Sequence, residues 1–460
     1  MPACNVRFGG PDYFIQAVHR SLVIRAIDRM APQVAAPIGD EMQQQEIYIG
    51  FSPLPEKEAI VEALLNDPPE VRWRTVRQLF RIRDPQDQEA LIRTLQPHLK
   101  SAEDWRLRYR LHLGLQALHR PLNIPGYCLA KGKGAFKTSD QDLDEQERSR
   151  PFKVPLFPIV DFHIHPKTPD LKFFADMREA GVTHGVVLAT DTDPADVERP
   201  KVREQIKKAY DQSNSSGRRG FESLIRHVQK SLYSPTHVTN RDVADWVQDY
   251  PEMLIGFGSV NLSKDRDYVL RTLDEIQGLN LRGLKFLPHS QFFNPAENEH
   301  MATVFDYCML TGSIILSHSG CGPGPFEIIE LSQNSHPGLW EPWVKKYPQV
   351  PLVLAHSGAY STEIPGIWLF DALQLGKNHS NVYIDLAAVD WLLDREMVVQ
   401  EIRKTIGFDR VLFATDYPLP LAAGVSLAYI VERVQTNSYL TPKEKHKVLG
   451  KNAARLLELS

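Results

Sequence analysis

The chain has 460 residues, 42% of them hydrophobic and 24% charged, with a formal net charge of -4 and a sequence pI near 6.5. That balance supports a sizeable core and excludes global disorder, and it gives no electrostatic reason to expect nucleic acid or an anionic membrane as a partner. Cys4, Cys128, Cys308 and Cys321 are few and widely spaced, and the opening MPACNVRFGG lacks the apolar core of a signal peptide, so a cytoplasmic protein is expected.

Taken in chain order, residues 11–120 carry apolar residues at three- and four-residue spacing, as in FIQAVHRSLVIRAIDRM and EAIVEALL, which predicts helices. Within them, DPPEVRWRTVRQLFRI (67–82) and EDWRLRYRLHLGLQAL (103–118) superimpose at an offset of 36, pairing Arg72 with Arg108, Leu79 with Leu115 and Ile82 with Leu118. Such copies resemble HEAT-like helical repeats, while a few amphipathic helices packed on the next domain would read the same way. Residues 1–128 are thus expected to form a helical module, open to a protein partner. Residues 129–157, which include AKGKGAFKTSDQDLDEQERSRPFKVPLF, read as a linker from their charge, Gly and Ser content and closing prolines.

The pattern changes at 158. Eight short β-like runs follow, namely PIVDFHIH, THGVVLAT, LIGFGSV, LRGLKFLP, SIILSHSG, PLVLAHSG, NVYIDLAA and RVLFATDY. Helical candidates intervene, such as DYVLRTLDEIQ (267–277), NEHMATVFDYCML (298–310) and DREMVVQEIRKTI (394–406). This alternation predicts an α/β fold, a (β/α)8 TIM barrel over 158–460, with the N-terminal helical module as an addition. Residues 191–240 form a polar insertion between the second and third strands, at the barrel end where loops build the pocket. It is expected to act as a lid or specificity element, or else to be a solvated surface excursion. The longest apolar stretch, PLPLAAGVSLAYIV at 418–431, contains two prolines and is too short to span a bilayer, so it reads as a loop entering a helix.

Catalytic groups of such a barrel belong where the strands end. Polar residues gather there: His163 and His165 on the first strand, Lys285 on the fourth, His318 on the fifth, His356 on the sixth and Asp416 on the eighth. Side chains on a regular strand alternate faces, so Asp161, His163 and His165 are expected on one face and Val160, Phe162 and Ile164 on the other, letting both imidazoles meet one metal ion. Each residue also has a plainer reading. A strand-end His can simply bond the following loop, and Asp416 two residues before Pro418 can cap a helix. Lys285 is expected at the mouth as a substrate-carboxylate contact, with a carbamate bridge or a snorkelling surface lysine as alternatives. His289 and Gln291 are candidates for the pocket wall. Cys321 reads as a loop thiol, and Asp191 and Asp193 as turn formers.

DFHIH, RGLKFLPHSQFF, SIILSHSG, PLVLAHSG, RVLFATDYP and the terminal LGKNAARLL, in this order, resemble the amidohydrolase superfamily. The resemblance is to the amidohydrolase-related branch that holds aminocarboxymuconate semialdehyde decarboxylase, resorcylate-type decarboxylases and several lactone hydrolases. It covers roughly residues 158–460, and the helical segment before 158 and the 191–240 insertion depart from it. It implies that His163, His165, His318 and Asp416 bind one divalent metal, most often zinc, with His356 as the nearby catalytic histidine and Asp416 accepting the proton of an attacking water. The expected function is a metal-dependent hydrolase of a small-molecule amide, lactone or ester-type carbonyl. The alternatives are a metal-dependent non-oxidative decarboxylase and, from another class, an inactive scaffold that binds protein through the helical module. The expected partner is a small-molecule substrate, with no nucleic acid or membrane and with room for a homo-oligomer.

Overall fold

The computed structural model describes residues 62, 65, 85–101, 157–165, 171–213, 220–232, 238–362, 364–419 and 425–459. The two repeat-like windows at 67–82 and 103–118 lie outside these residues, as do almost all of the N-terminal module and the linker. Of the module, helix Pro85–Ser101 is described, and its Leu91 and Leu95 are fully buried in the main apolar cluster.

Eight parallel strands follow in sequence order: β1 Ile159–Ile164, β2 Val182–Leu188, β3 Leu254–Ser259, β4 Gly283–Phe286, β5 Ile314–Gly320, β6 Leu352–Tyr360, β7 Val382–Asp385 and β8 Val411–Leu412. Each lies within or beside one of the eight runs expected from the sequence. The sheet curls back on itself. Phe162 N donates to Phe413 O, Asp416 N to His163 O and His165 N to Tyr417 O, so the eighth strand returns to the first. The chain is a TIM barrel, with helices such as Arg266–Gly278, Met301–Thr311 and Glu396–Lys404 outside it. The 418–431 stretch enters helix Leu427–Thr436.

Val, Ile and Leu dominate the strands because both faces are covered. One phase fills the interior, with Val160, Phe162, Val186, Leu188, Phe257, Leu316, Val353, Ala355, Leu412 and Ala414 in one cluster. The other phase, including Ile164, Val187, Leu284, Phe286, Ile315, Leu354, Ile384 and Phe413, packs under the helices. Phe257 needs the missing side chain of Gly283, since a Cβ there would lie 2.5 Å from its ring.

The simple alternation expected of β1 does not hold. Val160 and Phe162 point into the barrel, but Ile164 points out, and the β1–β2 register shifts between Asp161 and Ile164. An extra residue in the strand resets its phase, and that is how His163, next to an inward Phe162, also reaches the interior.

The described part of the 191–240 insertion is largely helical despite its polar composition. Helices Pro200–Gln212 and Phe221–Leu232 bury Val202, Ile206, Ala209, Ile225, Val228 and Leu232 against Phe292 and Phe326 from the loops after β4 and β5. The insertion therefore packs on the loops at the C-terminal mouth. Asp193 caps the turn Pro194–Glu198 and Asp191 accepts from Asn261 N and Tyr268 Oη, so both acidic residues have structural partners there. Among the described residues no helix is long and apolar enough to cross a membrane.

Candidate active site

The mouth of the barrel holds a cluster of polar groups, most of them buried among the surrounding apolar layers. His163 and Lys285 are fully buried, and His289, His318 and His356 nearly so. Lys285 occupies the inward phase of β4, between outward Leu284 and Phe286, and so projects to the centre of the cluster. Its Nζ lies 3.1 Å from His163 Nε2.

His163 Nε2 is the hub. His165 Nε2 is 3.0 Å from it and Asp416 Oδ1 3.5 Å. The donor atoms of these three residues all lie within 4.8 Å of one another, as do those of His163, His356 and Asp385. Asp416 keeps 15% of its side-chain surface open, so this edge of the cluster faces solvent. Three of the four expected ligands are thus brought together. His318 stands in neither group: its Nε2 is 3.1 Å from Cys321 O, and its ring lies between those of His289 and His356, at centroid distances of 4.4 and 4.6 Å.

His356 and Asp416 both have left-handed backbones, φ 59° and 61°, as does Ser357 at 53°. Non-glycine residues are costly there, and such strain gathers where a site over-determines its geometry. At His356 the turn has a visible effect, because it follows inward Ala355 and would otherwise face out. Its ring instead lies 4.9 Å from that of His163, with Nδ1 2.8 Å from Ala387 O. The side chain of Asp416 faces His163 while its backbone carbonyl accepts from Leu419 N, and residues 420–424, the segment it would cap, lie outside the described residues.

Of the two pocket-wall candidates, His289 joins the cluster, with Nδ1 3.0 Å from Ser335 Oγ. Gln291 does not. Its amide donates to Asp191 O and Val260 O and its Oε1 accepts from Leu287 N, which ties together the loops after β2, β3 and β4.

Two buried carboxylates were not singled out from the sequence. Asp161 accepts from Thr415 Oγ1, Thr415 N and His163 N, bracing β1 against the segment after β8. Asp385, ending β7, lies 2.9 Å from His163 Nδ1. The available signal was a carboxylate at a strand's C-terminal end in NVYIDLAA, as Asp416 lies beyond the end of the eighth strand in RVLFATDY.

Burial governs the electrostatics. It holds His163, His165, His318 and His356 well below the ordinary imidazole range, and neighbouring cationic and imidazole groups add to the effect. Burial raises Asp416 to about 7 against the opposing pull of Lys285, and lowers Lys285 to about 8 against the pull of Asp385 and Asp416. The rings are therefore neutral, the form in which imidazole binds a metal. Two ring nitrogens 3.0 Å apart beside a carboxylate oxygen form a cradle that a cation suits, and one ring is oriented by a further carboxylate, as metal-bound histidines commonly are. The residues fit a divalent metal.

Residues 160–459 match the family model described as Amidohydrolase. The chain belongs to the amidohydrolase family. This amidohydrolase is also similar in structure to several solved proteins. An uncharacterized TIM-barrel protein from Bordetella bronchiseptica is 18% identical, covering 66% of this chain and 99% of that one, with a TM-score of 0.48. A 5-carboxyvanillate decarboxylase from Sphingomonas paucimobilis is 16% identical over 66% and 99% of the two chains, TM-score 0.42. A 2,6-dihydroxybenzoate decarboxylase from Rhizobium is 14% identical over the same shares, TM-score 0.40. No curated protein matches the chain.

Proposed function

We propose that this amidohydrolase-family enzyme is a metal-dependent, non-oxidative decarboxylase of a small carboxylic acid. The observation that carries the reading is Lys285, a fully buried ammonium at the hub of the donor cluster with no ion pair within 4.0 Å among the described residues. A buried cation is costly without an anion, and a substrate carboxylate would supply one. Decarboxylation requires a carboxylate on the substrate, whereas hydrolysis of an amide or lactone does not.

His163, His165 and Asp416 would hold the metal, for which zinc is the choice that imidazole and carboxylate donors favour. When bound, a divalent metal supplies a Lewis acid that orients and polarises substrate oxygens. Lys285 would bind the departing carboxylate beside the apolar barrel interior, where a charged group is poorly solvated and neutral carbon dioxide is not. As the C–C bond breaks, its electron pair stays on the substrate carbon. Asp416, whose side chain keeps an edge open to solvent, would relay a proton from water to that carbon, forming the C–H bond. His356, neutral with Nδ1 turned to Ala387 O, would present Nε2 to the substrate.

Hydrolysis remains the second reading, favoured by the same solvent-facing edge of Asp416, which suits a general base for water. Incubating the zinc-loaded enzyme with a panel of small aromatic and unsaturated carboxylic acids in heavy water separates the two. Carbon dioxide release with one deuteron placed on carbon supports decarboxylation. Cleavage of amide- or lactone-bearing acids in oxygen-labelled water, with the label in the new carboxylate alone and no carbon dioxide released, would replace it with hydrolysis.

A further inference from the structure

The buried carboxylate at the end of β7 has no role in the scheme above, yet it touches two of the site's histidines in different ways. Asp385 is fully buried and shares the interior phase, since Val382 and Ile384 face outward. Its Oδ2 lies 2.9 Å from His163 Nδ1. Its Oδ1 accepts from two backbone groups, His356 N at 2.7 Å and Ala387 N at 3.0 Å. Its carbonyl oxygen accepts from Ser357 Oγ at 2.6 Å. These bonds hold His356 and Ser357, two consecutive non-glycine residues with left-handed backbones.

The direction of the His163 bond follows from what stands on the ring's other side. Nε2 meets the Lys285 ammonium at 3.1 Å and His165 Nε2 at 3.0 Å; an ammonium only donates, so the His163 Nε2 lone pair accepts from Lys285, and His165 is free to donate its own Nε2–H towards it. In a neutral ring the proton then belongs to Nδ1, which donates it to Asp385. The lone pair that Lys285 meets is the one a metal would share.

We propose that Asp385 is the positioning residue of the centre, a single carboxylate that fixes the His163 tautomer for metal ligation through Nε2 and pins the strained backbone presenting His356. This rests on the reading of His163 as a metal ligand.

Asp385→Asn tests it with almost no change in shape. The two backbone N–H groups require an acceptor, so the amide oxygen must take the Oδ1 position and leave its NH2 facing His163 Nδ1. That donor forces the ring proton onto Nε2 and removes the ligating lone pair, while the His356 clamp is kept. In zinc titrations against a competing chromophoric chelator, the variant is expected to bind about 10- to 100-fold more weakly than wild type, the usual cost of losing such a partner. Its melting temperature should stay close to wild type, whereas Asp385→Ala, which also abandons the two N–H groups, should lose both affinity and stability. Histidine ring nitrogen chemical shifts of the zinc-free wild type, assigned with His163→Gln, provide a readout that needs no Asp385 variant. They should report the Nδ1–H form of His163. Wild-type zinc affinity in Asp385→Asn, or an Nε2–H ring in the wild type, would overturn the positioning role and leave the metal centre standing. A wild-type chain that takes up no zinc would overturn both.

Discussion

The two ends of the barrel solve opposite problems. At the N-terminal floor, Ala453 and Leu457 close the interior against Val160 and Ile314, and Asn452 Nδ2 satisfies the carbonyls of Phe408 and Val411. Gly450 lies so close to β1 that a Cβ would come within 1.7 Å of Pro158 O. At the C-terminal mouth, the buried carboxylates Asp161 and Asp385, the part-open Asp416, a buried lysine and five imidazoles crowd together, and Phe292, His356, Ser357, Ala388 and Asp416 have left-handed backbones. One end is packed for stability. The other retains buried charge and strain, which cost stability and are useful only if something binds there.

If that contrast is right, changes at the mouth should remove function while sparing the fold, and changes at the floor should do the reverse. The largest effect is expected from Lys285→Met, a swap of similar volume. Turnover of a carboxylate substrate should fall by about 10²- to 10³-fold, as for loss of one preorganised charge, with melting temperature held or raised. The pH dependence should sharpen this. Burial lowers Lys285 to about 8 from 10.5, so between those values the unfolded chain binds more protons than the folded one. Stability of the zinc-free wild type should therefore rise from about pH 8 to 10.5, and thermal melts of the methionine variant should lack that rise. A large loss of stability in Lys285→Met would make the lysine structural.

At the floor, Gly450→Ala should cost about 1–3 kcal/mol through overpacking against the β1 backbone, leaving zinc affinity of the folded protein unchanged. Chemical denaturation and zinc titration of the same sample would measure both, and an unaltered midpoint would break the contrast at this end.

The smallest effect belongs to the outer layer. Arg403 donates from Nε and Nη2 to the two oxygens of Glu444, which also completes the Thr441 capping box, and these bonds push the Glu444 carboxyl down to about 2. Glu444→Gln should cost about 0.5–1 kcal/mol at neutral pH. Because the folded pKa is depressed, that contribution is present above about 4.5 and lost as pH falls towards 2, so acid unfolding should be shallower in the variant. Identical acid limbs would show the pair contributes nothing.

Most of the barrel was legible in the sequence because fully buried parallel strands write themselves as short apolar runs, and five of the eight runs carried the polar residues expected at the mouth. The phase of β1 was not, since the irregularity between Asp161 and Ile164 leaves no mark in residue type. Asp385 escaped for another reason: its partner His163 is 222 residues away, and nothing local distinguishes a carboxylate that orients a ring from one that caps a loop. Polar composition likewise concealed the insertion's two helices, whose apolar residues keep a helical spacing among many charges. His318 read like His356 in SIILSHSG and PLVLAHSG, but the left-handed backbone of His356 and the turn of His318 towards Cys321 O are tertiary outcomes that matching motifs do not encode.

One divalent ion held by His163, His165 and Asp416 is the central proposal. Elemental analysis of the purified protein beside a His163→Ala, His165→Ala double variant, with both shown to be folded by their melting curves, tests this most directly. About one equivalent of metal in the wild type and almost none in the variant is the expected result. Equal metal content in the two proteins would contradict it.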